Sequence, residues 1–336
     1  MFSLTLTHHA KTGFIRPDSW LTSAEAGAGR ISGVFKQSLA VTIGGTLLNL
    51  HTLSEAIHPL GILLPDPSFL RLSPGTPAAF FFPELRLGDE QLILRSDPNL
   101  VSGVSLGADF FSNRNEFITG LQKMLTRLEC MLKSLGKHSE VGSAYLFGNI
   151  RASFSPALSP PQSFSPAFRR GKKVGSASSA GMCSAVSQTP DVLLSRLLAE
   201  GIGRALQDLR DGCVALIDLL RFFGGGEGLT PAFDDFCTGL LLADTALFSI
   251  AGECRNRVFA DEAFFDALRP RTTLPAWWQL RCAAQGKSSL MIERYIAKLV
   301  HAQVSASDIL RIIAIGHTSG TDILCGVHAR LQREMS

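Results

Sequence analysis

VFKQSLAVTIGGTLLNLHT, residues 34–52, decides how the first third of this chain folds. Two runs rich in β-branched and other apolar residues flank Gly44-Gly45. That pattern predicts two antiparallel strands joined by a tight hairpin turn. Working outward, Leu60–Leu64 is a short apolar run closed by Pro65-Asp66-Pro67. Ala78–Phe82 and Leu85–Leu94 supply further strands, punctuated by Pro83 and Gly88-Asp89. Short strands at this spacing predict a small barrel or sandwich over residues 1–110.

The hydrophobic period changes after Asp109. Phe117, Leu121, Met124, Leu125, Leu128, Met131, Leu132 and Leu135 form a helical stripe, which predicts a helical connection over residues 111–150. Residues 151–190 are rich in Ser and Pro and carry Arg151, Arg169, Arg170, Lys172 and Lys173 without an acid. They read as a surface loop or linker, with a lid over an anionic ligand as the alternative. Residues 191–336 read as helical, with predicted helices over Asp191–Phe223, Pro231–Ala251, Asp261–Leu268, Ser289–Ala302, Asp308–Ile315 and Thr321–Arg333. The expected fold class is α+β: an N-terminal small β barrel or sandwich followed by a larger all-helical C-terminal domain.

A hydrophobic content of 46% with 18% charged residues describes a chain that buries a substantial core. A formal charge of +3 is too small to argue for nucleic acid. Seven cysteines form no Cys-x-x-Cys pair, which favours reduced thiols over disulfides or zinc. Met1–Lys11 lacks the order of a signal peptide. The most apolar helical stretch, Phe236–Ala251, is interrupted by Asp244 and is shorter than the roughly 20 residues of a membrane span. The expectation is a cytoplasmic protein, bound neither to a membrane nor to nucleic acid.

Two segments in the helical part repeat each other. Gly228–Cys237 (GLTPAFDDFC) and Gly316–Cys325 (GHTSGTDILC) both read Gly-x-Thr-x-x-x-Asp-x-x-Cys and run into apolar helical patterns. In the first, Thr230 is placed to cap a helix beginning at Pro231, behind the loop Gly224-Gly225-Gly226-Glu227-Gly228. Glycines let a ligand approach backbone N–H groups at a helix start, an arrangement that binds phosphates and carboxylates. Gly225, Gly226, Gly228, Thr230, Asp235, Thr318, Ser319, Gly320 and Asp322 are therefore candidate ligand-binding residues. Asp234, which matches Asp322 in the repeat, and His317, placed to move a proton, are the candidate catalytic residues. Acids in a first helical turn also stabilise the dipole. No cofactor or metal is expected, although aspartates from two corners can hold Mg²⁺. His51 and His58, at the end of a predicted strand, are candidates to line an interdomain cleft.

With Gly-Leu-Thr-Pro-x-x-Asp-Asp-Phe at Gly228–Phe236 and Gly-His-Thr-Ser-Gly-x-Asp-x-x-x-Gly at Gly316–Gly326, the chain resembles the AllH-like family of bacterial proteins. Ser32–Phe35 and Gly61–Leu64 also look similar. Some members are assigned as one of three different subunits of oxamate carbamoyltransferase, in allantoin (purine) catabolism. The resemblance implies a carbamoyltransferase subunit that needs partner subunits and acts in the phosphorolysis of oxalurate to oxamate and carbamoyl phosphate. It implies a small anionic substrate, with Asp234 and Asp322 on N–H groups and His317 on a proton or developing charge. The chain departs from the family pattern at Ala232-Phe233, where Ser-Gly is usual, and Phe233 is expected to narrow the loop. The alternatives are a non-catalytic ligand-binding or assembly subunit, and a stand-alone Mg²⁺-dependent hydrolase.

Overall fold

The computed structural model describes residues 11–64, 66–101, 114–135, 190–225, 228–251, 257–300 and 303–334. Nearly all of the basic Ser/Pro-rich segment, 151–189, lies outside the described residues.

The N-terminal part is a closed eight-stranded barrel in the order β1-β5-β4-β3-β2-β6-β7-β8. Its strands are β1 (Lys11–Ile15), β2 (Gly27–Val34), β3 (Ser38–Ile43), β4 (Thr46–His51), β5 (Gly61–Leu63), β6 (Pro77–Phe81), β7 (Glu84–Leu87) and β8 (Glu90–Ser96). The quoted stretch forms the β3–β4 hairpin, with Ile43 opposite Thr46 and Gly44 at φ +56°, a value that favours glycine. Parallel pairing of β8 with β1, Lys11 opposite Leu92, closes the barrel and leaves it without an edge. Leu39, Val41, Leu48, Leu50, Leu92 and Leu94 fill the interior. Because strand side chains alternate, packing Leu48 and Leu50 inward turns Leu47, Asn49 and His51 outward along β4.

The helical part contains α1 (Arg114–Leu135), α2 (Pro190–Asp211), α3 (Ala232–Ala251), α4 (Glu262–Leu268), α5 (Leu274–Ala283), α6 (Leu290–Val300), α7 (Ala306–Ile313) and α8 (Ser319–Glu334). The expected helix over Asp191–Phe223 is divided. α2 stops at Asp211, Gly212 adopts φ +120°, and Cys213–Ala215 forms strand β9 before a 3-10 segment at Leu216–Phe222. β9 pairs in parallel with β10 (Arg257–Phe259), so a two-stranded ribbon accompanies the helices.

α3 and α8, the helices that follow the two repeated motifs, cross at the centre of this part. A Cβ at Gly239 would lie 2.1 Å from the Ile323 carbonyl oxygen, and one at Gly326 would lie 2.0 Å from that of Phe236. Only glycine permits this backbone approach. Asp244, which interrupts the apolar stretch, is buried against Arg330 at 2.8 Å and Arg257 at 3.0 Å. No described helix is long and apolar enough to cross a membrane.

The barrel is tied to the helices by a buried bidentate pair. Arg16, just after β1, donates to both carboxylate oxygens of Glu293 on α6 at 2.9 and 3.0 Å, and to the Ser288 carbonyl oxygen at 2.9 Å. Trp278 and Arg269 both donate to the Gly45 carbonyl oxygen at the hairpin tip.

Candidate functional site

A cavity of about 490 Å³ lies between the barrel and the helices. That is ample for a small metabolite, since ligand pockets run from about 300 to 1,000 Å³. The outward side of β4 contributes Leu47, Asn49 and His51, and the segment before β5 contributes His58. The facing wall is one stripe of α5, Pro275, Trp278, Gln279 and Cys282, at the i, i+3, i+4, i+7 spacing of a helix face. Both repeated motifs reach the same cavity. Gly228, Leu229 and Thr230 line it from the first, and Gly316, His317, Thr318 and Ser319 from the second.

The two corners touch. The Thr230 and Ser319 hydroxyls form a hydrogen bond of 3.0 Å. Thr230 thus spends its side chain across the motif boundary, and α3 begins one residue later than expected, at Ala232. Thr318 and Ser319 sit where α8 starts, and His317 is exposed at the rim. The left-handed backbone of Gly228 (φ +98°) and Gly316 (φ +58°) turns each loop into its helix.

The remaining candidates lie elsewhere. Gly225 does not line the cavity, and Gly226 lies outside the described residues. Gly224 serves packing: its Cβ would sit 1.9 Å from the Arg271 carbonyl oxygen. Gly320 likewise lets α8 approach α7, where a Cβ would meet the Ile312 carbonyl oxygen at 1.8 Å. Asp234 faces away from the cavity. Its carboxylate accepts from the Gly224 N–H at 2.9 Å and from the Thr272 hydroxyl. Burial raises its pKa to about 6, against the lowering effect of those two donors.

Asp235 is the acid behind the cavity wall. It is 1% exposed and accepts from Gln279 Nε2 at 2.7 Å. Burial pushes its carboxyl well above the usual range, and the nearby Asp322 charge pushes the same way. The Ser319, Gln279 and Thr230 groups oppose both. Asp322, fully buried in the first turn of α8, therefore meets Asp235 beneath the two hydroxyls that line the cavity. Adjacent helical residues diverge by about 100°, which separates the roles of Asp234 and Asp235.

Phe233 does not narrow the loop. It is fully buried among Phe222, Phe223 and Phe236, with Gly201 of α2 leaving room for its ring. The two barrel histidines face the cavity with ring centroids 6.3 Å apart. Burial lowers His51 to about 4 and His58 to about 3, the latter helped by His51 and Arg16. Both imidazoles are therefore neutral near pH 7. Burial raises the Cys282 thiol to about 12. Among the described residues, no group of three or more His, Cys, Asp and Glu side chains converges as a metal site would.

The α5 wall is not among the helices expected from the sequence, although its signals are present. Thr273 caps the helix by accepting from the Ala276 N–H, Pro275 occupies its first turn, and an amphipathic stripe follows.

No solved structure matches this chain. Residues 222–331, the segment holding both corners, match the family model described as AllH, oxamate carbamoyltransferase subunit AllH, so over this segment the chain is AllH-like.

Proposed function

We propose that this chain is a subunit of a carbamoyltransferase of the oxamate carbamoyltransferase kind, and that the cavity between barrel and helices binds its small carbamoyl substrate. One observation carries the reading: two motifs far apart in sequence, both inside the AllH-like segment, meet at one cavity through the Thr230–Ser319 hydrogen bond.

In this reading a phosphate oxygen attacks the carbamoyl carbon of oxalurate. The bond from that carbon to the bridging nitrogen breaks, and the nitrogen leaves as oxamate after gaining a proton. The other product is carbamoyl phosphate. Thr230, Thr318 and Ser319 present hydroxyls, and the backbone N–H groups at the start of α8 supply further donors toward oxygen that gains charge. His317, at the rim, delivers the proton to the departing nitrogen. Asp235 and Asp322 lie behind the hydroxyls and fix their orientation. Other subunits of the complex complete the enzyme.

The test is an assay of carbamoyl phosphate formation from oxalurate and phosphate, with the chain combined with candidate partner subunits. The expected result is activity that depends on this chain and falls in Ser319→Ala and His317→Ala. Full activity without the chain, or in both variants, would overturn the proposal.

A further inference from the structure

We propose that Gln279 selects the ligand by accepting a hydrogen bond from one of its N–H groups, and that Asp235 and Thr238 lock the Gln279 amide in the orientation this requires. The inference rests on the cavity being a carbamoyl-compound site and adds the residue that reads the nitrogen.

A glutamine amide has a donor end and an acceptor end of nearly equal size, and its neighbours decide which points where. Gln279 Nε2 lies 2.7 Å from Asp235 Oδ1 and 3.4 Å from Thr238 Oγ1. An ionised carboxylate only accepts. The Thr238 hydroxyl donates its single proton to the Asp234 carbonyl oxygen at 2.9 Å, so it offers Gln279 only a lone pair. Both neighbours on α3 therefore demand the NH₂ end. The reverse orientation would set the Gln279 carbonyl oxygen against two acceptors. Thr238, at 3.4 Å, adds a weaker preference for the same orientation that does not depend on the Asp235 charge.

With its nitrogen held against α3, the carbonyl oxygen of Gln279 is directed away from those acceptors, and the residue lines the cavity. The neighbouring Thr230 and Ser319 hydroxyls can each donate or accept, so they discriminate poorly. The Gln279 oxygen accepts only. A ligand presenting an amide or carbamoyl N–H there gains a hydrogen bond, and one presenting oxygen meets lone-pair repulsion. The family resemblance implies N–H recognition by Asp234 and Asp322. The structure places both away from the cavity surface and puts a glutamine, backed by Asp235, at that surface.

The test compares oxamate with oxalate, which replaces the amide by a carboxylate of similar shape, by calorimetric titration of the full-length chain. The wild type is expected to bind oxamate at least about tenfold more tightly, as one well-formed hydrogen bond against one repulsive contact implies. Gln279→Met is expected to bring the ratio close to one, with oxamate affinity falling and oxalate affinity rising as the repulsive contact is removed. Thr238→Val, which removes only one of the two locking acceptors, is expected to reduce the ratio partway. Circular dichroism and thermal melts establish that each variant is folded. A ratio unchanged in Gln279→Met, an equal loss for both probes in a folded variant, or binding of neither probe by the wild type would each overturn the assignment. A wild-type chain that prefers oxamate yet supports no carbamoyl phosphate formation with its partners would sink the transferase reading and leave Gln279 in its role.

Discussion

Thr230 and Ser319 stand 89 positions apart in sequence, and their hydroxyls are hydrogen-bonded at 3.0 Å. The bond joins the starts of α3 and α8 at the cavity wall, so it reports whether the two corners remain assembled. Thr230→Val and Ser319→Ala should each destabilise the chain, and the double variant should lose less than the sum. A coupling of about 0.5–1.5 kcal/mol is expected for a partly buried neutral pair. Urea unfolding of the four proteins measures it, and strict additivity would mean the bond is absent in solution.

Glycines in the helical part serve two opposite ends, and alanine scanning separates them. Gly239→Ala and Gly326→Ala place a methyl about 2 Å from a backbone oxygen of the opposing helix, which must move as a whole. Each should cost at least about 1–3 kcal/mol, the range of overpacked cores. Gly203, exposed in the interior of α2, has open space around its would-be Cβ. Gly203→Ala should stabilise the chain by about 0.4–1 kcal/mol, because alanine loses less backbone entropy in a helix. Thermal unfolding curves moving the same way for all three would contradict the crossing described for α3 and α8.

What was legible in the sequence follows from the range of the interactions involved. The β3–β4 hairpin, α3 and α8 are written locally, in alternation, in Gly44 and in helical periodicity. The meeting of the two corners was foreshadowed by the shared Gly-x-Thr-x-x-x-Asp pattern, because similar loop-to-helix turns pack as similar objects. The break at Gly212 was not legible, since apolar residues continue in helical register through Leu216, Leu219 and Leu220. β9 forms there because β10, more than forty residues later, pairs with it. The division of labour between Asp234 and Asp235 was also hidden. It depends on Thr272 and Gln279, which come from a different part of the chain.

Arg16 and Glu293 join the barrel to the helices. Both side chains are buried, at 2% and 8% exposure, and the contact is bidentate. Removing one partner leaves a buried charge with less compensation. Glu293→Ala should therefore cost about 3–5 kcal/mol. Limited proteolysis should release the barrel earlier than in the wild type. Arg16→Lys should recover only part of the loss, since an ammonium cannot reproduce the fork.

The two barrel histidines make stability fall in mild acid. Folded His51 and His58 titrate near 4 and 3, against 6.5 for an ordinary histidine. Between roughly pH 4.5 and 6 the unfolded chain binds protons that the folded chain refuses, so stability rises with pH across that window and is lost as pH falls through it. Each histidine contributes a slope of about 1 kcal/mol per pH unit there. His58→Asn should flatten the stability profile by that amount. Asp234, raised to about 6 in the fold, contributes with the opposite sign, so the comparison belongs between wild type and the single histidine variant. An unchanged slope would mean that His58 is protonated in the fold.

His317 and Ser319 should separate chemistry from architecture. His317 is exposed and reaches the cavity only at its rim, so His317→Ala should leave unfolding free energy within about 0.5 kcal/mol of wild type. If its imidazole delivers the proton to the leaving nitrogen, kcat in the assembled enzyme should fall by about 10²-fold or more with KM little changed. Ser319→Ala removes a hydroxyl that touches both the ligand space and Thr230, so it should lower stability and raise KM together. A His317→Ala enzyme with normal kcat and a raised KM would assign the histidine to binding, and the proton would then have to come from another subunit.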